Sequence, residues 1–158
     1  MASRHSLDTS GERARFIDEF WKRRDTSPST AENEFQQTFD RRIAFADSVF
    51  GTTEARGALT DRGRVFVLLG QPSFVRRRPI SREDTTGRNR VWVPPATMIN
   101  GTIEQWVYQR EQLPIPLSKP TITYRFVTQP GIGVGVLQRE DAYAMQALNA
   151  AGSPTVRP

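Results

Sequence analysis

The sequence has no cysteine. Structural disulfides, Cys-ligated zinc and thiol nucleophiles are therefore excluded, while the redox compartment stays open. It has one histidine, His5, in a polar leader, which removes Ser-His-Asp catalysis and His-ligated zinc as core chemistry. Lysine is nearly missing: of 22 basic residues only Lys22 and Lys119 are lysine. Arginine suits bidentate contacts with phosphate or carboxylate, although the same bias follows from a GC-rich genome. No apolar run approaches the length of a membrane span. The first ten residues lack the apolar segment of an export signal, as a cleaved mature chain or an excised fragment also would. Gly70-Gln71-Pro72 is followed by no Gly-Lys-Ser/Thr, so a phosphate-cradling loop of that type is excluded. Neither cofactor nor metal is expected, and there is no internal repeat.

What is present is enough for one domain of 158 residues with a real core. Hydrophobic residues make up only 37%, so disordered margins are expected at 1–9 and 152–158. The net charge of +5 is unevenly spread: residues 1–57 carry 9 basic and 10 acidic side chains, and residues 58–158 carry 13 and 7.

The first third reads as two helices. Ser10 can cap the first, which runs to about Arg24 and carries Phe16, Ile17, Phe20 and Trp21 on one apolar stripe, expected to face the core. Asp18–Lys22 and Glu19–Arg23 are i,i+4 pairs with the acid first. Asp25 to Thr30 is a linker broken by Pro28. Ser29-x-x-Glu32 has capping-box spacing and is expected to open the second helix. That helix has its face on Phe35, Phe39, Ile43, Ala46, Val49 and Phe50 and stops at Gly51. Phe45 falls off the stripe, which implies cover on a second side. Arg42 lies within the stripe, where a charge needs a partner if buried; an ion pair with Asp61 is expected.

The organising stretch is Gly57 to Pro72. Thr60, Asp61 and Gly63 read as a structural turn, and Arg64 to Leu69 as a buried strand. Gly70 to Ser73 turns the chain, and Phe74 to Arg78 is expected to return as its hairpin partner. Pro79 to Gly101 is irregular, with a short strand at Val91-Trp92-Val93. Thr102 to Tyr108 is a strand with Glu104, Trp106 and Tyr108 on one face. Thr121 to Val127 alternates most clearly, with Ile122, Tyr124 and Phe126 inward. Ile132 to Leu137 is a weak strand, and residues 140–151 form a last helix. The expected fold is thus α+β: helices over 10–51, a small antiparallel sheet within 57–138, and a short C-terminal helix, all in one domain spanning 10–151.

Several ordered motifs together resemble the bacterial GWxTD-domain family. The central one is Gly57-Ala58-Leu59-Thr60-Asp61, continued by Arg62-Gly63-Arg64-Val65. Phe20 to Asp25, Glu32-Asn33-Glu34-Phe35, Leu69 to Pro72 and Glu104 to Tyr108 complete the likeness, which covers roughly residues 12 to 128. Ala58 stands where the motif has Trp, so a recognition role of that Trp would be lost here and a packing role must be taken over by a neighbour. The resemblance implies a fold and no reaction. Family members are often parts of exported or multidomain bacterial proteins, so an extracytoplasmic location is expected only if the native chain carries an export signal.

The strongest charge cluster is Arg76, Arg77, Arg78, Arg82, Arg88 and Arg90, with Trp92 beside it and Trp106 on the next strand. The leading expectation is a non-catalytic protein-interaction or scaffold domain that uses these residues as its partner surface. An alternative is nucleic-acid binding, with arginines on phosphates and an aromatic ring on a base. Against the nucleic-acid reading, consecutive strand residues alternate faces, and charge on an edge strand also serves to prevent aggregation. A third reading is a carboxylate-dependent hydrolase using Asp61 and Glu104.

Overall fold

The computed structural model describes residues 10–25, 27–81, 84, 101–113, 115–128, 134–139 and 141–153. The fold is α+β. Among the described residues there are four α-helices: α1 (Ser10–Arg24), α2 (Glu34–Phe50), α3 (Asp61–Leu69) and α4 (Ala142–Ala151). The strands are β1 (Phe74–Pro79), β2 (Thr102–Gln109), β3 (Thr121–Thr128) and β4 (Gly135–Leu137), joined in sheet order β1-β2-β3-β4 with every pair antiparallel. The expected strand at Val91-Trp92-Val93, the leader at 1–9 and the last five residues lie outside the described residues.

The helix pair forms as the sequence implies, with two differences. In α1 the Asp18–Lys22 and Glu19–Arg23 pairs close at 2.6 and 3.3 Å. Only half of its apolar stripe is covered: Trp21 meets Phe35 and Phe39 of α2, with ring centroids 6.2 and 5.4 Å apart, while Phe16 and Ile17 remain exposed. Helix α2 opens on Asn33, whose side chain accepts from Gln36 N at 2.9 Å, and not on Ser29. Asn33 is better placed because its Nδ2 also donates to Trp21 O at 2.8 Å, tying the cap to α1.

The expected strand at Arg64–Leu69 is α3, a helix of 9 residues. A run of six mostly apolar residues has no period long enough to separate a buried strand from a buried helix. The caps decide it. Thr60 Oγ1 accepts from Gly63 N at 3.1 Å as N-cap, and Asp61 lies at the positive end of the dipole. Gly70 closes the helix with φ of +82°, a conformation that costs glycine nothing. Val65, Val67 and Leu69 are buried as expected, because α3 is held between α2 on one side and β4 and α4 on the others.

With α3 removed from the sheet, β1 has a different partner. Phe74–Pro79 pairs with β2, Val75 opposite Trp106 and Arg77 opposite Glu104. This register puts Val75 and Arg77 on the face toward the helices, and Phe74, Arg76 and Arg78 on the outer face. The core lies between that inner face and α3 and α4: Trp106, Tyr108, Ile122, Tyr124 and Phe126 pack against Val65, Leu69, Ala144 and Leu148. Helix α2 reaches the same core through Phe50, 5.5 Å from Trp106. A small second cluster, Ile103 and Val127 with Ile80, forms at one end of the outer face.

Candidate functional site

The segment Gly57–Gly63 is built by backbone contact too close for side chains. A Cβ on Gly57 would stand 1.8 Å from Ala46 O of α2, and one on Gly63 would stand 1.8 Å from Gly57 O. Thr60 Oγ1 donates to Gly57 O at 2.7 Å while accepting from Gly63 N. Asp47 of α2 receives the Ala58 N–H at 2.8 Å and the Arg56 guanidinium at 2.5 Å, contacts that hold its carboxyl below the usual carboxylate range. Ala58 is half-buried, and Leu59 beside it is exposed. Asp61 does not meet Arg42. Its Oδ2 accepts from Leu137 N at 2.8 Å, and Arg139 approaches its Oδ1 at 3.8 Å, so it anchors β4 to the start of α3. Arg42 instead donates to Val67 O at 3.2 Å and lies against Gly70, where a Cβ would meet its Nη2 at 2.8 Å. The helix that the sequence misled one about is the reason: α3 presents a carbonyl, not the Asp61 carboxylate, to Arg42.

The same frame aims Arg62 into the interior. Its Nη2 donates to Thr128 Oγ1 at 2.7 Å, its guanidinium carbon is 5.9 Å from the Phe126 ring centre, and it packs against the Gly135 backbone. Its Nε comes within 3.3 Å of Glu104 Oε1 without the alignment of a hydrogen bond. Glu104 is 1% exposed. Arg77 Nε donates to its other oxygen, and Trp106 Nε1 donates to Oε1 at 2.5 Å. The carboxylate is thus enclosed by two guanidiniums and an indole. Burial lowers the Arg62 pKa and Glu104 pulls it back up. The arrangement ties α3 to β1 and β2.

Beside this cluster, α2 and β1 leave a cleft of about 550 Å³. Phe45, Val49 and Val75 form its lips at 47%, 55% and 51% exposure. Phe50, Phe66 and Trp106 form its floor, and Arg41 and Arg77 flank it. Phe45 stacks on Phe66 with centroids 4.8 Å apart. Phe66 of α3 thus supplies part of the second-side cover that the off-stripe position of Phe45 implied, and the rest of Phe45 faces the cleft. Among the described residues Arg41 donates only to Gln37 O and Thr38 Oγ1.

Sequence-predicted site residues are therefore scattered. Arg76 is exposed on the outer face, opposite Gln105, which in turn faces Arg125. Arg77 is on the inner face with Glu104. Arg78 clamps Asp84 with contacts of 2.5 and 2.6 Å, and together with Ser81 it lowers the Asp84 pKa. Trp106 is not a surface residue: it is 3% exposed and part of the core. Its side of β2 faces α2, which the sequence could not rank against the other face. Arg82, Arg88, Arg90 and Trp92 lie outside the described residues. Sequence reasoning missed Arg62 and the cleft-forming Val75, and it placed Val49 on the apolar face of α2, where the structure leaves it exposed. The signal for Arg62 was that it follows directly on the turn motif.

Two buried phenols are each held by a backbone carbonyl. Tyr108 and Tyr124 donate to Gly70 O and Ala144 O, both at 2.9 Å, and burial raises both phenols well above their usual pKa. Among the described residues no three Asp, Glu or His side chains converge in a way that could hold a metal ion, and no helix is long and apolar enough to cross a membrane.

The geometry defines a class: an antiparallel meander roofed by helices, in which a tight Gly-x-x-Thr-Asp turn launches a buried helix. Residues 2–85, a little over half of the 158-residue chain, match the family model of the GWxTD domain. The chain belongs to the GWxTD-domain family. No curated protein and no solved structure matches it.

Proposed function

We propose that this chain is a non-catalytic protein-docking domain, and that the cleft between α2 and β1 is where it takes its partner. The observation that carries this reading is the convergence of three exposed apolar side chains, Phe45, Val49 and Val75, over an aromatic floor. Apolar residues scattered singly are ordinary on a surface, whereas a contiguous set lining one concavity favours association. The fitting occupant is a partner segment with aromatic or aliphatic anchors and flanking carboxylates, because the flanking charges, Arg41 and Arg77, are positive. The exclusion of chemistry is supported by Asp61 and Glu104, each spent on protein donors.

Selection from a random-peptide display library on the immobilised domain tests this. Enriched peptides should combine apolar anchors with Asp or Glu. Phe45→Ala should weaken them by about tenfold or more, as a central aromatic anchor does, and Arg41→Glu by less. Peptides without acids, or peptides indifferent to Phe45→Ala, would remove the cleft from consideration.

A second reading rests on the outer face, where Arg76 and Arg125 stand in one cross-strand row through Gln105, one row from exposed Phe74. Such a row favours a nucleic-acid backbone with a base stacked on Phe74. Binding of a random single-stranded oligonucleotide should then be present at low salt and fall as salt rises. Absence at low salt rejects it.

A further inference from the structure

A second cavity, of about 480 Å³, opens on the other side of α2, between it and the ends of α1, α3 and α4. Its volume is in the range of small-molecule sites. Phe20, Phe35, Phe39, Val67, Leu68 and Leu113 form most of its wall. Two guanidiniums, Arg24 and Arg42, line the same space.

Neither has a carboxylate partner among the described residues. Arg24 is 5% exposed. It donates to Ser153 O at 2.7 Å and Phe20 O at 3.5 Å, with its guanidinium 3.8 Å from the Phe20 ring centre. Arg42 donates to Val67 O at 3.2 Å. Carbonyls at a helix end carry about half an elementary charge between them, so each cation is only partly offset. Burial lowers the pKa of both. Among the described residues, Glu34 is the one acid on the cavity wall. It is exposed and accepts from Thr30 Oγ1 at 3.0 Å, so water screens it. Arg62 offers the contrast within the molecule: where an arginine is withdrawn for structure, a carboxylate is withdrawn with it.

We propose that this cavity binds a small amphipathic carboxylate, its apolar body against the phenylalanines and its carboxylate on Arg42 and Arg24. The site is separate from the docking cleft, although Arg42 reaches the wall of both, and it does not depend on the docking reading.

Calorimetric titration of the whole chain with decanoate and with decan-1-ol, near neutral pH and low salt, tests the proposal. Decanoate should bind, and the alcohol, equal in its apolar body, should bind at least about tenfold more weakly, as the loss of a charge-assisted contact implies. Arg42→Met should reduce decanoate affinity by about tenfold and leave decanol unchanged. Equal affinity for the two ligands, or binding of neither, overturns the proposal. Because that comparison uses the unaltered chain, it holds even if Arg42→Met fails to fold. An Arg42→Met chain that folds and keeps its preference for decanoate overturns it equally.

Discussion

Arg62 and Arg42 sit on neighbouring helices and are both drawn away from water, yet they are treated in opposite ways. Arg62 meets Glu104, which is enclosed again by Arg77 and Trp106. Arg42 meets a helix carbonyl and an open cavity. A buried charge with a buried counter-charge is costly to take apart, because the survivor is left without solvent or partner. A charge facing a cavity has no such dependant. The comparison separates a part of this domain that holds shape from a part that is free to receive something.

The sharpest way to break the comparison is to remove the centre of the locked cluster. Glu104→Gln should lower unfolding stability by about 3–5 kcal/mol, since it strands Arg62, with a shifted urea midpoint and an unchanged slope. A loss under about 1 kcal/mol would mean that water reaches the cluster and that its burial carries no weight. Next is the frame that aims Arg62. Gly63→Ala places a methyl group against Gly57 O, where backbone must yield, and should cost about 1–3 kcal/mol. Smaller again, Thr60→Ala removes the N-cap of α3 at about 1 kcal/mol; a neutral result would show that Asp61 alone fixes the helix start.

How much of this was legible in the sequence follows the range of the interactions. Helices α1 and α2, the inward face of β3 and the last helix are written in local periodicity and caps. Arg64–Leu69 was not: its apolar run is too short to carry a period, and the deciding signals, Thr60 as N-cap and Gly70 as C-cap, fit a turn–strand–turn equally well. Once α3 was taken for a strand, β1 acquired the wrong partner. The site was less legible still. Apart from Trp106, two residues from Glu104, the partners of Arg42, Asp61, Arg62 and Glu104 are distant in sequence, and spacing says nothing about which distant carboxylate a guanidinium meets. The alternation of Arg76, Arg77 and Arg78 was readable, and it sends Arg77 inward and its neighbours outward, as the register has it.

The smallest expected effect concerns pH. Asp47 and Asp84 both have folded pKa values below the unfolded value of about 3.9. Depressed carboxylates contribute stability that is complete above the unfolded value and is lost as pH falls through the folded one. The urea midpoint should therefore hold down to about pH 5 and decline below about pH 4. Asp47→Asn should decline less steeply over that interval. A midpoint that rises on acidification would contradict the sign.

The most direct test sets the two arginines side by side. Urea unfolding of Arg62→Met and Arg42→Met, measured at neutral pH, compares a cation bound to a buried acid with one bound to a carbonyl beside a cavity. The account predicts a loss of about 3 kcal/mol or more for Arg62→Met and a change within about 1 kcal/mol for Arg42→Met. Equal losses, or a greater loss at Arg42, would contradict it.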